Sequence, residues 1–362
     1  MRIAFFGSSL VSAYWNGAAT YYRGLIRALA ERGHQVTFYE PDAYERQQHR
    51  DIEDPSWAKV VVYRNDEAAV SQCLDAARSA DVVVKASGVG VFDDLLEKAV
   101  LLLRSSSRIV VFWDVDAPAT LDRVHGNPAD PFHQLIPHYN AILTYGGGDP
   151  VVNAYKALGA QNCAPIYNAL DLTTHHPTAP QPRFAGDLAF LGNRLPDREK
   201  RVEEFFLKPA SQRPSLQFVL GGAGWADKQK PENVRCFDHV VTADHNAFNS
   251  TPRAVINISR DSMARYGYSP ATRVFEAAGA AACIITDEWI GIDRFFEPDR
   301  EILVAVDGED VVRHLEKLPV NRARAIGEAA YRRALGEHTY AHRAVLVESI
   351  LEGRQFRAGG AS

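Results

Sequence analysis

Ala254-Val-Ile-Asn-Ile258, Thr272-Arg-Val-Phe-Glu-Ala-Ala278 and Ala282-Cys-Ile-Ile-Thr286 decide how this chain folds. The first and third are short, largely β-branched runs, apolar on both faces. The second has helical length, and a polar loop separates it from the first run. A strand, a loop, a helix and another strand, with doubly apolar strands, imply a parallel sheet covered by helices on both sides. The same alternation extends outward. Strands are predicted at 187–191, 216–220, 234–237 and 302–306, and a helix at 198–207. Beyond residue 306 the pattern is helical, at 309–318, 322–335 and 340–352. The small polar tail, 357–362, reads as a fraying end.

The first half repeats the architecture. Strands are predicted at 3–6, 35–39, 60–63, 81–86, 108–113 and 141–144, with helices at 18–31, 67–78, 93–103 and 150–158. Between the halves, 171–185 is rich in proline, has no apolar period and reads as a linker. The expected organisation is an α/β chain of two Rossmann-like, doubly wound domains with a central cleft: 1–170, the linker 171–185, 186–338, and a last helix and tail, 339–362, that cross back to the first domain. In such folds ligands sit beyond the carboxyl ends of the strands, where strand order reverses.

Composition narrows the function. The chain has 362 residues, 46% hydrophobic and 23% charged, which excludes a disordered or fibrous chain. Lys plus Arg is 40 against 45 Asp plus Glu, a net charge of -5, so no overall nucleic-acid footprint is expected. No apolar run reaches membrane-spanning length, and the residues after Met1 read as a buried strand rather than a signal peptide. The four cysteines, Cys73, Cys163, Cys236 and Cys283, are widely spaced and read as reduced thiols of a cytoplasmic protein.

Four loops carry candidate chemistry. Ser269-Pro270 reads as the N-cap and first residue of a helix whose free N–H groups and dipole suit a diphosphate. Arg260, Arg265 and Arg273 lie beside it, and Glu276 can accept two hydrogen bonds from a ribose diol. The plain alternative is an exposed, ordinarily capped helix. Gly192-Asn193-Arg194, after a strand, pairs a close-approach glycine with a phosphate-neutralising arginine. Asp114 and Asp116 follow a first-domain strand, where a carboxylate can deprotonate an acceptor. Asp-x-Asp is also a metal motif of GT-A enzymes, but the restart after residue 183 disfavours that fold; Asp116 as a helix cap is the alternative. Ser8, Ser9, Trp15, Asn16 and Gly17 lie after the first strand, with Tyr14, Tyr21 and Tyr22 nearby to stack or to pack a core. No GxGxxG fingerprint is present, which disfavours a nicotinamide enzyme. His175 and His176 lack a third ligand at metal spacing and read as surface histidines.

Tyr268-Ser-Pro-Ala-Thr-Arg-Val-Phe-Glu276-Ala-Ala-Gly279, Ile284-Ile-Thr-Asp287, residues 297–304 and His338-Thr-Tyr-Ala-His-Arg343 resemble the donor-binding half of GT-B glycosyltransferases. The resemblance is specific over 186–352 and is closest to the group 1, spore-maturation CgeB-type branch. It implies a metal-independent, hexosyltransferase-like enzyme with no cofactor, a nucleotide-diphosphate sugar as co-substrate and an acceptor of unknown identity. Gly192, Asn193, Arg194, Arg260, Tyr268, Ser269, Thr272, Arg273 and Glu276 would hold the donor, with Glu276 on the ribose. Ser8, Ser9, Trp15, Asn16 and Gly17 would face the acceptor. The family's frequent E-x7-E pair is absent, because Tyr268 stands at the first glutamate's position. A nucleotide-sugar 2-epimerase and a nucleotide-sugar-binding assembly protein without turnover remain alternatives.

Overall fold

The structure, a computed structural model, describes residues 1–353; the expected fraying tail at 357–362 lies outside the described residues. The chain forms two compact units. One comprises Met1–Tyr167 and the segment that starts at Tyr340; the other is Asn168–Thr339.

The first unit is built on seven parallel strands: β1 (Arg2–Phe6), β2 (Gln35–Pro41), β3 (Lys59–Tyr63), β4 (Val82–Ala86), β5 (Ile109–Asp114), β6 (Ala141–Thr144) and β7 (Cys163–Pro165). Their spatial order is β3-β2-β1-β4-β5-β6-β7. The chain moves outward from β1 to β3 and returns to pair β4 on the other side of β1, so strand order reverses between β1 and β4. Helices α1 (Ala19–Glu31), α2 (Glu67–Ala77), α3 (Asp93–Ala99), α4 (Ala117–Gly126), α5 (Pro131–Leu135) and α6 (Gly148–Ala157) connect the strands. β4 is buried along its whole length, even at Lys85. That charge is tolerated because Lys85 Nζ donates to Ala86 O (2.7 Å) and to Asp93 Oδ1 (2.6 Å). The expected strands are all present. β7 was not anticipated, since three residues ending in proline give no period to read.

The last helix, Tyr340–Leu351, belongs to this first unit and packs on α1. Gly24 makes the approach possible: a β-carbon there would lie 2.3 Å from the Tyr340 ring. At the far end, Arg32 Nη2 donates to Glu348 Oε2 (2.6 Å), and His34 Nε2 is 2.7 Å from Oε1. The Arg32 hydrogen bond, helped by His34, holds the Glu348 carboxyl down to about 2. A carboxylate depressed by folding stabilises the native state above its ordinary pKa, and that contribution fades as pH falls toward 2. Glu348→Gln should therefore lower Tm by a few degrees at pH 7, and the gap to wild type should close between pH 4.5 and 2.5 in thermal melts.

The second unit is a six-stranded parallel sheet of β8 (Leu188–Leu191), β9 (Phe218–Gly221), β10 (Val234–Phe237), β11 (Ala254–Asn257), β12 (Ile284–Asp287) and β13 (Leu303–Ala305), in the order β10-β9-β8-β11-β12-β13. Order reverses between β8 and β11. The helix expected at 198–207 is instead α7 (Glu199–Val202), a wide π-type turn (Glu203–Leu207) and α8 (Lys208–Gln212). Pro209 has no N–H to return to the carbonyl four residues back, and the ladder widens just before it. The remaining helices are α9 (His245–Ser250), α10 (Asp261–Tyr266), α11 (Thr272–Gly279), α12 (Gly308–Lys317) and α13 (Val320–Glu337). α10 occupies the segment expected as a polar loop, and both it and α9 are too short to show a helical period. The proline-rich segment lies along α9: Asn246 Nδ2 donates to Thr174 O (2.9 Å), and Thr251 Oγ1 accepts from Gln181 N (2.9 Å). No helix among the described residues is long and apolar enough to cross a membrane.

Candidate functional site

In the second unit the loops that follow β8 and β11 flank the reversal of strand order. After β8 the backbone runs close to the loop after β9. Gly192 N donates to Gly221 O (2.8 Å), and a β-carbon on Gly222 would lie 2.4 Å from Gly192 O. Asn193 Oδ1 accepts from Ala223 N (3.0 Å), and Trp225 Nε1 donates to Gly192 O (2.8 Å). These bonds fix a tight loop that leads to Arg198 at the carboxyl edge of the sheet.

Arg198 is the residue that sequence reading missed. The sequence pattern makes it the first residue of a helix, yet it stands at the N-cap position of α7 with non-helical backbone (φ -127°, ψ -15°). Its Nη2 donates to Asn193 O (2.6 Å), while its Nε is buried with no hydrogen-bond partner. Burial, then repulsion from Arg273 and Arg260, holds its guanidinium down to about 10. Arg273, on the first turn of α11, likewise has a buried Nη1 without a hydrogen-bond partner. Two repelling guanidinium groups with unused donors form a site that an anion would relieve. Arg194 and Arg260 are differently placed. Arg194 is bonded to Glu199 (2.7 Å) and Asp227 (3.0 Å), and Arg260 to Asp197 (2.5 Å). Their charge is largely neutralised by neighbouring carboxylates. Arg265 is exposed at the end of α10.

The helix start differs from expectation. α11 begins at Thr272, its cap position is Ala271, and Ser269 Oγ donates back to Gly267 O (2.9 Å). Extended backbone at Ala271 (φ -63°, ψ 146°) delays the helix by two residues. As a result no side chain caps α11, and its dipole end is open to an anion. Tyr268 sits in left-handed backbone (φ 45°), donates its N–H to Ile290 O (2.6 Å), and lies between Gly291 and the Arg294 guanidinium (4.6 Å).

Glu276 comes just over one turn into α11. Its carboxylate is 3.8 Å from Arg273 Nη1 and 4.0 Å from His175 Nε2, and it accepts no hydrogen bond among the described residues. Burial pushes this carboxyl up, but Arg273, His175 and His245 together pull it below its ordinary value, so it is ionised at neutral pH. The expectation for His175 is corrected here. It is only 8% exposed, with Nδ1 2.9 Å from Thr174 Oγ1, because the strap carrying it is packed on this unit rather than free. His176 is exposed, as expected.

The first unit places its candidates on the carboxyl edge of the seven-stranded sheet. Asp114 is corrected as a catalytic base. It is fully buried and accepts from Ser87 Oγ (2.8 Å), Thr120 Oγ1 (3.0 Å), Asp116 N (3.1 Å) and Tyr155 OH. A carboxylate so enclosed holds the loop and cannot reach a ligand. Asp116, two residues on, is exposed at the N-cap position of α4 and makes no capping bond, so the capping alternative does not hold. Ser8 Oγ donates to Asn16 Oδ1 (2.9 Å) and Ser9 Oγ to Glu40 Oε1 (2.9 Å), so these buried side chains shape the loop from within. Trp15 and Gly17 are exposed, whereas Tyr21 and Tyr22 are core residues.

Residues 198–349 match the family model described as "Glycosyl transferase-like". This segment is similar to glycosyl transferase-like domains. The match starts at Arg198 and includes α11. Among solved structures, an alpha-glucosyltransferase in complex with UDP-glucose and DNA containing an abasic site aligns with a TM-score of 0.71 at 13% identity, covering 97% of this chain and 99% of that one. Sucrose-phosphate synthase from Thermosynechococcus elongatus gives 0.67 at 12% identity, covering 99% and 100%. Anabaena HepE in complex with UDP-glucose gives 0.66 at 13%, covering 98% and 100%. No curated protein matches the chain significantly. At these identities the likeness is one of fold, and the fold is GT-B.

Proposed function

We propose that the chain is a hexosyltransferase of the GT-B class. It takes a sugar from a nucleoside-diphosphate sugar and passes it to an acceptor hydroxyl. The observation that carries this reading is the pair Arg198 and Arg273, each with a buried, unpartnered guanidinium N–H, beside the uncapped start of α11. A diphosphate supplies the charge and the acceptors that this arrangement lacks. Glu276, ionised and without a hydrogen-bond donor of its own, takes the two ribose hydroxyls one helical turn away. Arg194 and Arg260 act at most indirectly, by holding their loops.

In the reaction the acceptor oxygen attacks the anomeric carbon, the bond to the diphosphate breaks, and the proton passes to a base. We assign that base to Asp116. The arginine pair and the helix dipole stabilise the departing diphosphate, so the proposal invokes no metal. The unpaired cysteines support a cytoplasmic setting. The match of Tyr268 through Gly279 to the CgeB-type pattern supports membership of that branch.

UDP-glucose is the first donor to test, since HepE and the alpha-glucosyltransferase were solved with it. Removing the carboxylate in Glu276→Ala should weaken nucleotide binding by about 1–3 kcal/mol, the range for charged hydrogen bonds. Calorimetric titration of the wild-type and variant proteins checks this, and unchanged affinity would remove the ribose assignment.

A further inference from the structure

Two histidines flank Glu276 from outside its own helix, and the reading above gives neither of them a task. His175 comes from the proline-rich strap and His245 from α9. Glu276 Oε2 faces Arg273 Nη1 at 3.8 Å, and Oε1 faces His175 Nε2 at 4.0 Å. Both gaps are too wide for a hydrogen bond.

The strap is fastened on either side of His175. Thr174 O accepts from Asn246 Nδ2 (2.9 Å), and His176 N donates to Asn246 Oδ1 (3.3 Å), so α9 grips the backbone before and after the ring. From below, the strap seats on Gly279 of α11, where a β-carbon would lie 2.3 Å from Leu170 Cδ1 and 3.2 Å from His175 Cβ. The tautomer is fixed as well. Thr174 Oγ1 gives its only proton to Asp171 O (3.2 Å), so its 2.9 Å contact with His175 Nδ1 places a proton on Nδ1. The neutral ring therefore turns the Nε2 lone pair toward the Glu276 carboxylate. Two acceptors face each other, and neither receives a hydrogen bond among the described residues. An O–H donor is what the gap lacks. His245 is arranged differently, with Nε2 3.1 Å from Val240 O and hence protonated there.

We propose that His175 Nε2 is a second acceptor for the ribose diol of the nucleotide, working beside Glu276; this rests on the ribose assignment made above. A vicinal diol carries two O–H donors side by side. One hydroxyl fills the gap between His175 Nε2 and Glu276 Oε1, held by both, and the other reaches Oε2. A histidine kept only to pack the strap would have no reason to aim its second nitrogen at a carboxylate.

The arrangement carries a pH signature. A protonated His175 donates from Nε2 to Glu276 Oε1 and closes the gap against the diol. The charged and titratable groups around the ring are Glu276 and Arg273 on α11, Asp171 and His176 on the strap, and His245 on α9. Burial outweighs the pull of Glu276 and holds His175 below its ordinary value, so the ring is neutral at pH 7. Glu276, itself held below the usual carboxylate value, stays ionised over the same range. Nucleotide affinity is therefore full at neutral pH and falls as pH drops through the His175 pKa.

The test is calorimetric titration of the full chain with UDP-glucose, whose diphosphate diester does not itself titrate between pH 7.5 and pH 5. Wild-type affinity should fall at least about three-fold over that interval. His175→Gln keeps an acceptor without a titrating group, so it should bind near wild-type level at pH 7.5 and show a flat profile. His175→Phe should bind about three- to ten-fold more weakly at pH 7.5, the equivalent of one neutral hydrogen bond. It should also lose most of the preference for UDP over either 2′-deoxy-UDP or 3′-deoxy-UDP, a ratio that general damage to the site would leave alone. A pH dependence that persists in His175→Gln overturns the proposal, as does a His175→Phe variant with wild-type affinity or with both ratios unchanged. The two readings fail separately. If Glu276→Ala weakens binding while the His175 variants do not, the ribose assignment stands and only this proposal falls. If Glu276→Ala binds as wild type does, or the wild type binds neither UDP-glucose nor GDP-mannose, the reading beneath it falls and takes the proposal with it.

Discussion

Asp116→Asn should lower turnover by about 10²- to 10⁴-fold, the usual effect of removing a positioned base, while leaving nucleotide affinity intact. The expectation follows from the contrast between two neighbouring carboxylates. Asp114 has its oxygens occupied by Ser87, Thr120, Tyr155 and the Asp116 N–H, and burial pushes its carboxyl up. Replacing it would damage the loop instead of the chemistry. Asp116 is exposed two residues beyond β5, with no capping bond and, among the described residues, no ion pair. It is thus the free carboxylate of the two. Initial-rate measurements at saturating donor check the prediction, and wild-type turnover in the variant would eliminate Asp116 as the base.

Arg198→Met should separate binding from stability. Loss of a charge-assisted hydrogen bond to a phosphate is worth about 1.5–3 kcal/mol, so nucleotide affinity should fall roughly 10- to 150-fold. The fold, however, should not suffer. Without ligand, Arg198 is partly buried, its Nε is unpartnered, and Arg273 and Arg260 repel it. Methionine keeps an apolar side chain over Phe190, where the guanidinium now rests at 5.4 Å, and removes the charge. Tm should therefore hold or rise as affinity falls, the pattern of a residue kept for function at the expense of stability. A fall in both would mark Arg198 as structural, and unchanged affinity would remove it from the phosphate site.

Most of the fold was legible because it rests on periodicity. Strands such as 82–86 and 284–287 are apolar on both faces, and long helices such as 19–31 and 320–337 carry enough residues to show a stripe. Elements without a period escaped: the three residues of β7, and α9 and α10 with six each. In the candidate site, Glu276, Arg273 and Asp116 were legible from residue type and from position after a strand. Three features were not. Arg198 looked like the start of a helix, and only the turn at Asn193 shows that it points elsewhere. His175 looked like linker surface, because its burial depends on how the strap packs on α9 and α11. The cap at Ser269 failed because backbone at Ala271, rather than local preference, sets where α11 begins. Arg194 and Asp114 had the right chemistry, but partners 33 and 41 residues away in sequence occupy them.

The most direct test of the account is mass-spectrometric product analysis of the full chain incubated with UDP-glucose, UDP-N-acetylglucosamine, GDP-mannose and dTDP-glucose, with and without a saccharide acceptor. A sugar transferase releases the nucleoside diphosphate from at least one donor and increases the acceptor's mass by one hexosyl or N-acetylhexosaminyl residue. Interconversion of the sugar without transfer, or all four donors recovered unchanged, would contradict it.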